Sequence, residues 1–181
     1  AVVGGAKGSG KSGKLRMIEG LLKRADAVVV GGAMIWAFLA ELGYNVGEYP
    51  LPWDPAKNEP EADRTAVRTL TSKTHHGRLV IPIKVVVGNA AGERRVVDFG
   101  RGEWVPDGFK IRDIDPNGIT KALLDLRTTL GGAPSLVLWN GPMGKFEKDD
   151  KDPDSGYDAG TKALVDYLEL VKLKHGRTVV G

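Results

Sequence analysis

The sequence predicts an α/β fold, in which a doubly wound parallel sheet carries helices on both faces. Short apolar runs without polar alternation recur along the chain, and such runs are typical of strands buried in a parallel sheet. Helical patterns stand between these runs, and this alternation indicates the α/β class. The 181 residues are 41% apolar, which is enough for the core of one domain, so residues 1–181 are expected to form a single domain.

The first four elements alternate between strand and helix. Residues 1–3 are apolar and lead into a glycine loop, after which leucine and isoleucine recur at helical spacing from Leu15 onward. A β-branched run at 27–30 predicts a second buried strand. Residues 33–42 are apolar nearly all round and are followed by Gly43, so they predict a buried helix with a glycine C-cap.

The middle of the chain begins with a proline-rich loop at 47–59, which cannot be helical. A helix is predicted for residues 60–74. The longest strand-like run lies at 78–87, where Pro82 predicts a bulge or a strand end. Residues 94–99 predict a short edge strand.

The last third of the chain returns to the alternating pattern. Asp115 is expected to cap, and Pro116 to begin, a helix that runs to Leu130. The remaining predicted elements are strand 135–139, a polar insertion at 148–155, helix 157–174 and strand 178–180. About five buried strands therefore alternate with helices, which predicts a Rossmann-like sheet that binds its ligand at the carboxyl ends of the strands.

The chain contains 25 glycines, about twice the usual share, and their placement is informative. Several of them follow directly after a predicted strand: Gly4, Gly5, Gly31, Gly32, Gly141 and Gly181. Because the carboxyl ends of parallel strands lie at one edge of a sheet, we expect these glycines to line that edge together. Such placement favours a close approach of backbone to ligand over flexible filler.

Residues 5–12 match the phosphate-loop pattern G-x-x-x-x-G-K-S between a predicted strand and a predicted helix. The backbone N–H groups of such a loop converge on phosphate oxygens, and its lysine adds a positive charge. P-loop hydrolases also need an acidic residue at the end of another strand. The strand at 27–30 ends in Gly31, the strand at 135–139 ends in Asn140, and Asp26 precedes its strand, so the hydrolase interpretation is weakened.

Two motifs resemble the C-terminal, nucleotide-binding domain of phosphoglycerate kinase. Residues 4–7 followed by Lys11 are similar to the family's G-G-A-K, three residues, then K. Residues 137–147 read V-L-W-N-G-P-M-G-K-F-E and are very similar to the family's V-V-W-N-G-P-M-G-V-F-E. Residues 30–34 and 178–181 resemble, in turn, the family's next strand and the strand that leads into its G-G-G-D-(S/T) motif.

The resemblance implies the nucleotide-binding half of a two-domain kinase that transfers a phosphoryl group reversibly between 1,3-bisphosphoglycerate and ADP in glycolysis. Its implied site residues are Gly5, Ala6 and Lys7 on the nucleotide, Lys11 as the catalytic residue on the phosphates, Gly31 and Gly32 against the adenine, Asn140, Gly141, Pro142 and Phe146 opposite them, and Glu147 on the ribose. Mg²⁺ is expected to be held mainly by the phosphates of ATP or ADP, without a metal ligand from this chain. Either 3-phosphoglycerate or 1,3-bisphosphoglycerate is expected to bind through an N-terminal half that is missing here.

Other interpretations of these residues stay open. A P-loop NTPase and a non-catalytic nucleotide-binding module both accommodate the glycine loop. By itself, the segment 140–142 predicts a turn, and Glu147 predicts a surface charge. The pair His75 and His76 is expected to face the last carbonyls of a helix rather than a metal.

Composition excludes several classes of protein. The 26 Lys and Arg against 23 Asp and Glu leave a net charge of only +3, so no nucleic-acid partner is expected. No apolar stretch approaches the roughly 20 residues that cross a bilayer, so no membrane partner is expected. The chain has no cysteine, which fits a reducing, cytoplasmic location. The protein is expected to be monomeric.

The chain departs from the family pattern at several positions. Gly8, Gly10 and Ser12 make its phosphate loop resemble a true P-loop. Lys84 stands where an aspartate is common, and residues 111–116 read I-R-D-I-D-P in place of G-L-D-I-G-P. The family's glycines and aspartate would come just after residue 181, so we expect these residues alone to bind nucleotide without efficient turnover.

Overall fold

The computed structural model describes residues 1–5, 13–47, 60–72 and 77–181, with side chains of the third range described from residue 64 onward. Three of the predicted site residues, Ala6, Lys7 and Lys11, lie outside the described residues. The same holds for the rest of the glycine loop and for the histidine pair at 75 and 76.

The described ranges contain β-strands, α-helices and short 3₁₀ segments in alternation. The strands are β1 (Val2–Val3), β2 (Val28–Val30), β3 (Leu79–Val80), β4 (Lys84–Gly88), β5 (Arg94–Asp98), β6 (Lys110–Ile114), β7 (Leu136–Asn140) and β8 (Arg177–Val180). The α-helices are α1 (Lys14–Leu22), α2 (Ile35–Glu41), α3 (Pro60–Thr71), α4 (Pro116–Thr129) and α5 (Ala159–Leu173). The 3₁₀ segments are Gly32–Met34 and Phe99–Arg101.

Five strands form a parallel sheet in the order β3-β2-β1-β7-β8. The chain winds outward from β1 in both directions, first through β2 and β3 and later through β7 and β8. Val2 pairs with Val29 on one side and with Trp139 on the other, so β1 is the central strand. This arrangement confirms the predicted α/β fold with a doubly wound parallel sheet.

A second, three-stranded antiparallel sheet in the order β5-β4-β6 was not predicted. The strand-like run at 78–87 divides into β3 of the first sheet and β4 of the second, so the strand end predicted at Pro82 is confirmed. Pro82 lies in the break, and proline has no N–H group to donate to a ladder. The predicted edge strand at 94–99 is β5, which indeed lies at an edge, although of the second sheet.

The helix ends follow local signals. The Asp115 carboxylate accepts hydrogen bonds from Asn117 N and Gly118 N, both at 3.1 Å, so the predicted cap of α4 is confirmed. The helix predicted for 60–74 has its described end at Thr71, and the helix predicted for 157–174 spans Ala159–Leu173. These shifts of a few residues are normal for helix ends.

The two sheets share one apolar core. Leu15, Ile18 and Leu22 of α1 are buried in the same cluster as Val3 of β1 and Ile114 of β6. Because β6 belongs to the second sheet, this shared cluster fixes the second sheet against the first, near the ends of β1 and β2. Within the described ranges, every helix is too short or too polar to cross a bilayer.

Candidate functional site

The carboxyl ends of β1, β2 and β7 meet at one edge of the parallel sheet, as the glycine pattern predicts. Gly4 N donates to Asn140 O at 2.8 Å, and Gly5 N donates to Pro142 O at 2.7 Å. Gly32 N donates to the carbonyl of Met143 at 3.0 Å. The segment after β7 therefore lies directly against the glycine pairs after β1 and β2.

The glycines at this edge are needed because backbones approach one another closely. Gly32 has φ +68°, and a Cβ there would stand 2.6 Å from Gly5 O. Gly141 has φ +83°, and a Cβ there would lie 2.6 Å from the Gly4 carbonyl oxygen. A Cβ on Gly31 would meet Met143 Sδ at 2.5 Å, so Met143 covers that face of Gly31. Any larger residue would push the strand ends apart.

Lys14, the first residue of α1, places its ammonium group at this edge, and the sequence analysis missed it. Its Nζ donates to the carbonyl of Gly4 and, at 3.0 Å, to Oδ1 of Asn140. Among the described residues it has no carboxylate partner, and burial lowers its pKa. A lysine that is partly desolvated and not neutralised attracts an anion. A local signal was present, because the apolar spacing of α1 begins at Leu15 and places residue 14 in its first turn.

The segment 140–147 presents the other predicted residues. Trp139 Nε1 donates to Gly141 O at 2.6 Å and holds the turn after β7. Met143 is fully buried, and its N donates to Thr161 Oγ1 of α5 at 3.0 Å. Phe146 is 48% exposed and Glu147 is exposed, so both are accessible to a ligand.

Strand β6 of the second sheet packs against this segment. Lys145 N donates to the Arg112 carbonyl at 2.8 Å, and a Cβ on Gly144 would clash with the Asp113 carboxylate. Asp113 is only 2% exposed and accepts from Gly160 N at 2.9 Å and from Ile114 N at 2.8 Å. Burial raises the pKa of Asp113 to about 7, with a smaller effect of the Asp158 charge in the same direction. Asp113 therefore titrates near neutral pH behind the segment.

The donors at the edge suit an anionic ligand. They are the Lys14 ammonium and the Asn140 side-chain amide, which can hold phosphate oxygens. In the part of the chain that the structure describes, no group of three or more His, Asp or Glu side chains could hold a metal ion. The arrangement can bind and orient a phosphate chain, and a divalent cation bound to that chain would reach the site with it.

Comparison with known proteins identifies the family of this chain. The family model described as phosphoglycerate kinase matches residues 1–181. A phosphoglycerate kinase of Chloroflexus aurantiacus is 33% identical over 184 residues, which cover 99% of this chain and 40% of that protein. The phosphoglycerate kinase of Geotalea uraniireducens is 34% identical over 185 residues, covering 100% of this chain and 40% of that protein.

Solved structures show the same fold. The phosphoglycerate kinase of Pyrococcus horikoshii superimposes with a TM-score of 0.64 at 22% identity, over 99% of this chain and 44% of that chain. The enzyme of Coxiella burnetii superimposes with a TM-score of 0.55 at 22% identity, over 98% of this chain and 47% of that chain. The chain thus spans about two fifths of the length of the curated relatives. Because the family model matches the whole length of this chain, the chain belongs to the phosphoglycerate kinase family.

Proposed function

We propose that residues 1–181 form the nucleotide-binding domain of a phosphoglycerate kinase, the half that binds ADP or ATP during reversible phosphoryl transfer between 1,3-bisphosphoglycerate and ADP in glycolysis. The observation that supports this function best is the meeting of Lys14, Asn140 and the glycine pairs at the carboxyl edge of the parallel sheet. Parallel α/β sheets bind their ligands at this edge. A cation that has no carboxylate partner among the described residues fits a polyphosphate.

The phosphates lie, in this proposal, against the backbone of Gly5 and the lysines that follow it. Lys7 and Lys11 keep the roles that the family resemblance implies. We add Lys14, which is separated from Lys7 by six residues, whereas the family pattern has three residues between its two lysines. Lys14 then binds the phosphates together with Lys11. The neutralisation of developing phosphate charge is what phosphoryl transfer requires of such a lysine.

The nucleoside lies along the segment after β7. Gly31, Gly32, Asn140, Gly141, Pro142 and Phe146 line the adenine together, and Glu147 accepts hydrogen bonds from the ribose hydroxyls. Mg²⁺ enters with the phosphates, which suits a site whose described residues hold no acidic cluster. The phosphoglycerate would bind to the other half of the kinase, which corresponds to the part of the relatives that this chain does not cover. We also propose that the protein is monomeric and acts in the cytoplasm.

Titration calorimetry with Mg-ADP tests this function. We expect the chain to bind Mg-ADP and Lys14→Met to bind at least about tenfold more weakly, because a charge-assisted contact to phosphate is lost. Lys121→Met is the matched control, since Lys121 is an exposed lysine of α4 that pairs with Asp125. If the unmodified chain does not bind Mg-ADP, or if both variants bind equally well, the proposal is wrong.

The match of residues 5–12 to the phosphate loop favours one alternative, a P-loop NTPase. Steady release of phosphate from ATP by this chain, abolished in Ser12→Ala, would support that alternative and overturn the kinase-domain proposal. Binding of nucleotide with no turnover, even when a phosphoglycerate-binding half is supplied, would instead indicate a non-catalytic module.

A further inference from the structure

The polar insertion at 148–155, which we call the strap, is folded back onto the second sheet. Its two ends are held together by backbone pairing, because Tyr157 N donates to Lys145 O at 2.8 Å and Gly156 N donates to Glu147 O at 3.0 Å. Within the strap, Ser155 Oγ donates to Asp149 O at 2.9 Å and accepts from Asp149 N at 3.0 Å. The strap is therefore a closed loop that begins directly after Glu147.

A buried carboxylate anchors the strap to β6. Asp154 is 5% exposed and forms an ion pair with the Arg112 guanidinium. Its other oxygen accepts from the Tyr157 hydroxyl at 2.9 Å. Lys145 adds a second anchor, since its Nζ donates to Asp152 Oδ2 and to Asp154 O, both at 2.6 Å.

Arg94 closes the cluster from β5. Its guanidinium donates to Ser155 O at 2.6 Å and stands 4.1 Å above the centre of the Tyr157 ring. The strap thus contacts three basic side chains, one each from β5, β6 and the segment after β7. Such a cluster holds the loop in one position better than a single exposed ion pair would, because each side chain is already partly immobilised.

The two cations that bind the strap carboxylates stand where the family pattern has apolar residues. Arg112 occupies the leucine position of G-L-D-I-G-P, and Lys145 occupies the last valine of V-V-W-N-G-P-M-G-V-F-E. A buried cation without a partner destabilises a protein strongly. In the described part of the chain, Arg112 Nε is already buried without a hydrogen-bond partner, so this arginine depends on Asp154. The strap supplies the carboxylate that the half-buried Arg112 requires and a second carboxylate, that of Asp152, which pairs with the more exposed Lys145.

The cluster also fixes the short segment that carries Glu147. At its start, Lys145 N is bound to β6 through Arg112 O, and the Lys145 side chain is bound to the strap. At its end, Glu147 O is bound to Gly156 N, next to the Asp154 anchor. The backbone from 145 to 147 is therefore held on both sides by groups that Asp154 stabilises.

We propose that Asp154 is a positioning residue: its carboxylate holds Arg112 and Tyr157, whose backbones are paired with Lys145, and so keeps Glu147 against the ribose and sets the affinity for the nucleoside part of the nucleotide. The inference rests on the proposed function, because that function assigns Glu147 to the ribose. Asp154 contacts no phosphate in this arrangement. Its removal should therefore weaken the contacts of the nucleoside and leave those of the phosphates intact.

The test compares three ligands, Mg-ADP, Mg-2′-deoxyADP and Mg-pyrophosphate, by calorimetry on the unmodified chain and on Asp154→Asn. We expect Asp154→Asn to bind Mg-ADP about fivefold to tenfold more weakly and to bind Mg-pyrophosphate within about twofold of the unmodified chain. The preference for ADP over 2′-deoxyADP should fall towards one, because Glu147 no longer meets the hydroxyl that distinguishes the two. Asp150→Asn is the matched control, since Asp150 is an exposed strap carboxylate, with its side chain 88% exposed.

A variant with a milder defect keeps the test decisive if Asp154→Asn does not fold. Asp152→Asn removes one bond of Lys145 and leaves the buried Arg112 and Asp154 pair in place, so a smaller loss in the same direction is expected. Equal losses for ADP and pyrophosphate would mean a general structural role and would overturn the inference, as would an unchanged affinity for ADP. Failure of the unmodified chain to bind Mg-ADP would overturn the proposed function itself.

Discussion

Two regions meet at the candidate site: the carboxyl edge of the parallel sheet, and the place where the second sheet contacts α5 and the strap. Different interactions hold each region together. At the parallel edge, backbone packs directly on backbone, as where Gly32 lies against Gly5. At the second sheet, carboxylates make the connections: Asp113 joins β6 to the start of α5, and Asp154 joins the strap to β6.

The difference shows how each region can be altered. Backbone contacts as close as those of Gly32 leave no room for a side chain, so only glycine fits. Carboxylate connections can be neutralised with almost no change in volume, and they respond to pH and to the charge of their partners. We therefore expect the glycine positions at the parallel edge to accept few other residue types, whereas we expect the carboxylates at the second sheet to accept neutral replacements of the same size.

The largest effect should come from Gly32→Ala, which attacks the backbone contact. The new Cβ would meet Gly5 in a backbone with φ +68°, so the free energy of unfolding should fall by about 4 kcal/mol. Gly43→Ala is the control, because Gly43 has φ +88° and no atom within 4 Å of the new Cβ. It should lose only about 1 kcal/mol. Urea melts of the two variants measure the difference, and equal losses would contradict the packing argument.

A smaller effect is expected from Asp113→Asn, and it should depend on pH. The folded carboxyl keeps its proton up to about pH 7, whereas the ordinary pKa of an aspartate is 3.8, so the folded state binds more protons between these two pH values. The stabilisation by this proton is complete below about pH 4 and is lost as the pH rises through 7. The unmodified chain should therefore lose roughly 3 kcal/mol between pH 4 and pH 7 from this group, a loss that Asp113→Asn should not show.

Urea melts across this pH range measure the slope of stability against pH for Asp113→Asn. Asp125→Asn is the control, because Asp125 is an exposed carboxylate of α4, with its side chain 63% exposed. Its slope should match that of the unmodified chain. If Asp113→Asn also keeps that slope, Asp113 is not the titrating group.

The smallest effect should come from the cap of α4. Asp115→Ala leaves Asn117 N and Gly118 N without their acceptor and should lower the free energy of unfolding by about 1 to 2 kcal/mol. Asp115→Asn keeps an acceptor oxygen and loses only the ion pair with Lys84, whose charged atoms are 3.6 Å apart. Its loss should stay below about 1 kcal/mol. Thermal melts rank the two variants, and the reverse order would show that the ion pair outweighs the cap.

The parallel sheet and its glycine edge could be predicted because their signals are local. A short apolar run and the glycine after it are adjacent in the sequence, and parallel strands bring such ends together. The second sheet could not be predicted in this way, because its central strand β4 pairs with the distant β6, as where Val85 pairs with Ile114. The alternating charges of β6 also resemble a loop when they are considered alone.

The candidate site likewise has one part that local sequence signals predicted and one part that they did not. The residues after β1, β2 and β7 were predicted from motifs, and the structure places Gly5, Gly32 and Asn140 at one edge. Lys14 was missed because the lysine at position 11 already satisfied the motif. The partners of Arg112 and Lys145 were also missed, since Asp154 and Asp152 lie in an insertion whose charges predict only a solvated loop.

The sequence by itself determined the fold class, the meeting of the strands' glycine ends at one edge of the sheet and the family of this chain, because each depends on short segments with their own chemical pattern. The tertiary structure alone decided which charges meet. Lys14 reaches Asn140, Asp113 is buried against Gly160, and Asp154 neutralises Arg112 only after two sheets and a strap have packed together. For partners so far apart in the sequence, distance and burial in three dimensions decide which charges pair, and no spacing along the chain encodes either quantity.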